Sequence, residues 1–350
     1  MPLLRFLAAL LLSLLIAIPA SAQPSLLVDG VTGEVLYAEE AGVSWHPASL
    51  TKMMTAYVAF AALAAGRVTL DTPVIISRNA WNQAPAKSGL EIGEGLRFED
   101  ALYVMLVKSA NDVAIAIAET VSGSVDAYVA EMNGMAGRMG LTATHFDNPN
   151  GLHSPGQVTS ARDLAMLALY LRRDFPQFLP MFGTEAVNLD GRILESNNAL
   201  LEHFAGTTGM KTGYVCNSGL NIVATVDRGG RSLIAVVLGG ATARERNEMA
   251  AELLLRGLSG AYIGEGVQVM DVRNAGGDPV DMRSQICGKK SKAYLASRAK
   301  LYPMGLKGQP SYLTDRIKGV VHVATSLKKG AGIALPRRRP TIFDPVATSD

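Results

Sequence analysis

Pro47-Ala48-Ser49-Leu50-Thr51-Lys52 opens an apolar run, Met53 to Ala65, that contains no Gly or Pro until Gly66 stops it. Pro near the first helical position and Gly past the end are the two ends of a helix. In a helix that starts here, Ser49 and Lys52 are three apart and share a face. An unassisted serine hydroxyl is a poor nucleophile near neutral pH and needs a base within hydrogen-bond reach. A lysine one turn on becomes that base if partial burial and neighbouring cations depress its pKa. The helix N-terminus also offers free N–H groups and positive potential to a developing oxyanion. One turn can therefore hold a nucleophile, a base and part of an oxyanion hole. The bland alternative is a capping serine and an exposed lysine. The pattern alone does not choose, because Ser-x-x-Lys recurs at Ser297–Lys300 and Ser326–Lys329.

Working outward, Ser25 to Val28 and Val35 to Ala38 are short apolar strands around Asp29-Gly30-Val31-Thr32-Gly33, a hairpin signal. Leu70 to Arg97 is rich in turns. Helical patterning runs from Phe98 to Val107, breaks at Lys108-Ser109-Ala110, and resumes from Asn111 to Val121. Another run spans Val125 to Met139, so residues of about 68–165 form a mainly helical subdomain. Asn148-Pro149-Asn150-Gly151 is a turn cluster. The next helix, Leu164 to Arg173, is preceded by Ser160 and Asp163 at capping-box spacing. Three strands follow, Gly206 to Val215, Leu220 to Val226 and Leu233 to Leu238, the last two joined by Arg228-Gly229-Gly230. A final helix spans Arg244 to Leu258. Strands at both ends with helices between define an α+β domain whose sheet pairs the first hairpin with the last three strands.

A chain of 350 residues, 48% apolar and 18% charged, supports a sizeable core. Its first stretch has one cation, Arg5, an apolar run and Ala20-Ser21-Ala22, which reads as a secretory leader cleaved after Ala22. The net charge of +2 hides an asymmetry. Residues 1–270 carry 18 Lys and Arg against 25 Asp and Glu, whereas residues 271–350 carry 15 against 6. Residues 259–350 therefore read as a basic, mostly irregular tail, and an anionic membrane or wall polymer is the partner its charge would suit. Export and the absence of an aromatic stacking pattern argue against nucleic acid. Cys216 and Cys287 are the only cysteines, an even count in an oxidising compartment. A bridge between them would clip the tail beside the strand that ends near Val215. The five histidines show no metal-ligand spacing.

Lys211-Thr212-Gly213 occurs once, on an expected strand, where a cation and a hydroxyl suit a carboxylate and Gly213 lets a ligand backbone approach. Of three Ser-x-Asn matches, only Ser109–Asn111 falls at a break between apolar helices, facing a buried cleft; Ser77–Asn79 and Ser196–Asn198 lie in turn-like stretches. Taken in order, Ser49-x-x-Lys52, Ser109-x-Asn111 and Lys211-Thr-Gly213 resemble the three-part signature of penicillin-binding proteins and serine β-lactamases. HPASLTKMMTAYVA, NPNGLHSPGQVTSARDLAML and GMKTGYVCNSGLNIVAT narrow the likeness to low-molecular-mass D-alanyl-D-alanine carboxypeptidases, over about residues 24–258.

That resemblance implies a β-lactamase/transpeptidase-like fold, no cofactor, peptidoglycan stem peptides as substrate and β-lactams as inhibitors. It implies Ser49 as nucleophile, Lys52 as its base, and Ser109 with Lys211 completing a proton relay. Asn111 would bind the substrate amide, Thr212 the terminal carboxylate, and the N–H groups of Ser49 and Tyr214 would form the oxyanion hole. Arg246, with Arg244 as the alternative, would add a second hold on the carboxylate. The chain departs from the family in placing Tyr214 where some relatives have histidine. Residues 259–350 resemble neither a β-rich second domain nor an amphipathic anchor. A D,D-endopeptidase and a catalytically silent wall-binding protein are the alternatives; a β-lactamase is disfavoured because no Glu-x-x-x-Asn stands in 148–170.

Overall fold

The structure, a computed structural model, describes residues 23–329. The leader expected over residues 1–22 lies outside the described residues, as do residues 330–350 of the basic tail. The strands are β1 (Ser25–Asp29), β2 (Val35–Glu39), β3 (Pro73–Ile75), β4 (Gly95–Arg97), β5 (Thr184–Leu189), β6 (Arg192–Glu195), β7 (Thr207–Val215), β8 (Gly219–Arg228), β9 (Arg231–Gly240) and β10 (Val320–Ala324). The α-helices longer than one turn are α1 (Lys52–Ala64), α2 (Phe98–Val107), α3 (Asn111–Ser122), α4 (Val125–Arg138), α5 (Ala161–Asp174), α6 (Ala243–Leu258) and α7 (Ser291–Leu301).

The main sheet is antiparallel, in the order β2-β1-β9-β8-β7, so the first hairpin does pair with the last three strands. The strands read as nearly continuous apolar runs because both faces of the sheet are covered. Ile222, Ala224, Ala235 and Val237 pack on one side with Ala250, Ala251 and Leu254 of α6. Their neighbours Val223, Ile234, Val236 and Leu238 point the other way, into the larger core that contains α1. This is the period-two alternation of a strand with two buried faces. Gly229 and Gly230 both have positive φ, 60° and 76°, as a two-residue hairpin turn matched to strand twist requires.

α1 is buried on every side from Lys52 to Phe60, which is why its sequence is apolar all round rather than amphipathic. Helices α2 to α4 pack around it. Ser160 caps α5 by accepting from the Asp163 N–H at 3.1 Å. The Asp163 carboxylate does not return the bond; it accepts from Ala143 and Thr144 instead.

Beyond Leu258 the described chain has few regular elements, yet it is fastened at many points. Val35 N donates to Val267 O and Ala275 N to Gly42 O. β10 runs parallel to β5, joining β6 in a three-stranded sheet that the turn-rich sequence does not announce. His322 on β10 meets Asp100 of α2 at 2.7 Å and stacks on Tyr103. Cys216 and Cys287 are disulfide-bonded, 5.6 Å apart at Cα and 71 residues apart in sequence.

Candidate active site

Three elements converge on a cleft of about 340 Å³: the start of α1, the break between α2 and α3, and β7. Ser49, Ser109, Asn111, Thr212, Gly213, Tyr214 and Arg246 line it, while Lys52 and Lys211 are buried beneath. A larger cavity of about 480 Å³, between the β1–β2 turn, α5 and Val269, contains none of these residues.

Ser49 sits in a 3-10 turn, Ala48–Thr51, that leads into α1, and Ala48 has a positive φ of 50°. Lys52 Nζ lies 3.0 Å from Ser49 Oγ and 2.7 Å from Asn111 Oδ1, and it also donates to the carbonyl of Asn150. Burial, then the Lys211 cation, hold the Lys52 pKa well below that of an ordinary lysine. Burial, then Arg246, push Lys211 down to about 7. Burial alone brings Arg246 to about 10. Arg246 thus weakens the hold of buried Lys211 on its proton, and Lys211 that of buried Lys52.

The break at Lys108-Ser109-Ala110 is a left-handed residue, Ser109, with φ 61°. Ser109 Oγ is buried and has no hydrogen-bond partner among the described residues. Lys211 Nζ donates along its own strand to Thr212 O at 3.1 Å, so the relay expected between Ser109 and Lys211 is not a direct hydrogen bond here. Asn111 is held at both ends, its Nδ2 donating to Ala84 O at 2.9 Å.

Gly213 lines the cleft and also permits a close approach within the chain. A Cβ there would meet Ser49 N at 2.9 Å, Pro47 O at 3.0 Å and Leu50 N at 3.1 Å. The close approach it permits is that of the nucleophile's own turn to β7. Tyr214 is half exposed, with its hydroxyl 3.2 Å from the Cys287 sulfur. Arg246 is buried at the cleft end, its Nη2 donating to Asn197 O and Asn247 Oδ1 at 2.8 Å each. Arg244 turns away, giving its Nη1 to the carbonyls of Tyr302 and Met304.

Sequence reasoning missed Asn150, because its contribution is a backbone carbonyl. The turn around it is set by Gln157, whose Oε1 accepts from Asp147 N and Asn148 N at 2.9 Å and whose Nε2 donates to Thr51 Oγ1 at 3.2 Å. Gly151, at φ 83°, presses against Ala48 O, where a side chain would clash. The Asn-Pro-Asn-Gly cluster was the available signal.

An antiparallel sheet behind a buried helix that begins with serine and lysine is the arrangement of the β-lactamase/transpeptidase-like serine proteins. The chain belongs to the D-alanyl-D-alanine carboxypeptidase family Peptidase_S11, whose model matches residues 17–242. It is 35% identical over 251 residues to D-alanyl-D-alanine carboxypeptidase DacD of Escherichia coli, covering 68% of this chain and 65% of that protein. To DacC of the same organism it is 36% identical over 239 residues, covering 66% and 60%. The chain thus spans less than two thirds of the length of these curated relatives. Among solved structures, penicillin binding protein 5 from Haemophilus influenzae superposes with a TM-score of 0.65 at 32% identity, covering 68% of this chain and 71% of that one. Penicillin-Binding Protein D2 from Listeria monocytogenes, in its cefotaxime-bound form, gives 0.62 at 30% identity, covering 68% and 97%.

Proposed function

We propose that this chain is a serine-type D-Ala-D-Ala carboxypeptidase that removes the terminal D-Ala from peptidoglycan stem peptides and is acylated by penicillins. One observation carries the reading. A neutral lysine amine has two N–H donors and one lone pair. Lys52 Nζ stands 3.0 Å from Ser49 Oγ while Asn111 Oδ1 and the Asn150 carbonyl, both acceptors only, take its other contacts, so in the neutral amine those two acceptors use both N–H donors and the lone pair is left to receive the Ser49 proton. Burial beside Lys211 favours that neutral state.

Ser49 Oγ attacks the carbonyl of the penultimate D-Ala and passes its proton to Lys52. The tetrahedral oxyanion is met by the N–H groups of Ser49 and Tyr214. The C–N bond then breaks, the leaving amine takes the proton that Lys52 received from Ser49, and D-Ala departs. Asn111 holds the substrate amide; Thr212, Lys211 and Arg246 hold the terminal carboxylate. Water hydrolyses the ester and restores Ser49. The same reading places the mature chain outside the cytoplasm, in the periplasm or cell envelope, and lets its basic tail touch an anionic membrane or wall polymer.

The test is mass analysis of a pentapeptide muropeptide after incubation, together with intact-mass analysis of the protein after penicillin treatment. Loss of one alanine and a single adduct, both abolished in Ser49→Ala, are expected. Cleavage confined to cross-linked dimers would make it an endopeptidase, and an adduct that survives Ser49→Ala would move the nucleophile elsewhere.

A further inference from the structure

Arg246 enters the cleft from the first turns of α6, and those turns are gripped from behind by the tail. Glu245, fully buried beside Arg246 in sequence, accepts from Arg298 of α7, with Arg298 Nε at 2.7 Å. Arg298 Nη2 donates to the same carboxylate and to Gln23 Oε1 at 2.9 Å. Gln23 in turn donates to Gly239 O at 2.6 Å, at the end of β9. The other Glu245 oxygen accepts from Ala241 N at 3.2 Å, in the link between β9 and α6. Arg244 hands its guanidinium to Tyr302 O and Met304 O. Glu248 accepts from Ser311 Oγ and from Tyr312 N.

Helical geometry sorts these residues. Positions 244, 245 and 248 share one side of α6, while 246 points to the opposite side. Residues 298–312 therefore hold the back of the helix whose front carries Arg246. Room at the front is small: a Cβ at Gly240 would lie 2.9 Å from the Arg246 Cβ. A shift of this turn would move Arg246 against the end of β9. The gripping residues all lie beyond residue 242, where the family match ends.

We propose that Arg298 is a positioning residue for recognition of the substrate's terminal carboxylate, acting through Glu245 on the first turn of α6 and so on the reach of Arg246. The inference rests on the proposed role of Arg246 and extends the binding machinery into the tail. Glu245 is buried, and a carboxylate that loses its only cationic partner among the described residues must be protonated or move towards water. Either response disturbs the turn that aims Arg246, without touching Ser49 or Lys52.

The experiment compares a D-Ala-D-Ala peptide with the same peptide ending in a carboxamide, in full-length wild type, Arg298→Ala, Arg298→Lys, Glu245→Gln and Arg246→Ala. Losing a charge-assisted carboxylate contact outright costs roughly ten- to a hundredfold in kcat/KM. A loosened turn should lose part of that. Arg298→Ala is expected to raise KM for the acid about three- to tenfold, with kcat little changed and the carboxamide unaffected. Arg298→Lys, keeping a cation with fewer donors, should fall between it and wild type. Glu245→Gln, which leaves no fully buried charge and only the part-exposed Arg298 cation behind, should reproduce the acid-selective loss in a stably folded protein. Equal losses on acid and carboxamide, or an unchanged KM for the acid in both Arg298→Ala and Glu245→Gln, would overturn the proposal. If Arg246→Ala shows an acid-selective loss while these variants do not, the carboxylate reading stands and only the Arg298 step falls. If Arg246→Ala shows none, both fall.

Discussion

Replacing Gly213 by alanine tests the fit between the strand and the nucleophile. Gly213 lies in β7, paired with Asn221, and its φ is not in the left-handed region, so alanine suffers no backbone strain. The cost is steric. The added Cβ would stand 2.9–3.1 Å from three backbone atoms of the Pro47–Leu50 turn. Ordinary contact begins near 3.4 Å, so strand and turn must part by about 0.5 Å, and backbone cannot swing aside as a side-chain tip can. Overpacking of this kind costs about 1–3 kcal/mol of stability. The displaced atoms include the Ser49 amide and carry Ser49 Oγ with them. Misplacement near 1 Å costs about a hundredfold in rate, so half of that should slow acylation about tenfold or more. The assay is the second-order rate of labelling by a fluorescent penicillin, with Tm measured alongside. Gly123→Ala is the control: Gly123 has φ 77° and nothing within 4 Å of its would-be Cβ. That substitution should lower Tm and leave labelling unchanged. If Gly213→Ala labels at the wild-type rate, the strand does not set the nucleophile's position and the steric argument is wrong.

Other outcomes follow from the same geometry. Lys52 must be neutral to accept the serine proton, so acylation should climb with pH as it deprotonates. In Lys211→Gln, loss of the neighbouring cation that helps depress Lys52 should move that climb to higher pH, as stopped-flow acylation would show. Because burial and Arg246 push Lys211 down to about 7, KM for a peptide acid should rise above that pH while KM for its carboxamide stays flat. Gln157→Leu frees the turn that presents the Asn150 carbonyl to Lys52, and penicillin labelling should slow roughly tenfold, about the worth of one hydrogen bond. Cys287→Ser opens a loop of 71 residues; the chain-entropy model puts the loss at roughly 4 kcal/mol, so Tm by calorimetry should fall by several degrees. An unchanged Tm would mean that the polar ties alone hold the tail.

The sequence and structure agree where apolar periodicity decides the outcome, and part where polar atoms do. The central sheet, α1 and the helices on either side of Ser109 were legible because each is a buried apolar run bounded by turn or cap residues. The three signature motifs were legible because their residue types are the chemistry. Asn150 was not: any residue has a carbonyl, and only the turn made by Gln157 aims this one at Lys52. Gly213 was legible as a close approach, but its partner was not, since the turn at Pro47–Leu50 lies far away in sequence. β10 was hidden because Val320, Val321 and Val323 remain exposed, so no buried periodicity marked the strand.

The tail gives the sharpest case. Many of its contacts with the core are carbonyls, carboxylates and guanidinium groups, and its buried apolar residues, such as Val269, Met282 and Ala324, follow no period, so it reads as a loose polymer of scattered charge. Yet the choice between Arg244 and Arg246, two residues apart and chemically identical, is made there. Arg244 is spoken for by the carbonyls of Tyr302 and Met304, whereas Arg246 is left with Asn197, Asn247 and the cleft. An arginine's place follows from which acceptors its neighbours leave to it, and here those acceptors sit 58 and 60 residues downstream, in a segment without a pattern to announce them. A local motif can therefore nominate the pair, but only the distant chain selects between them.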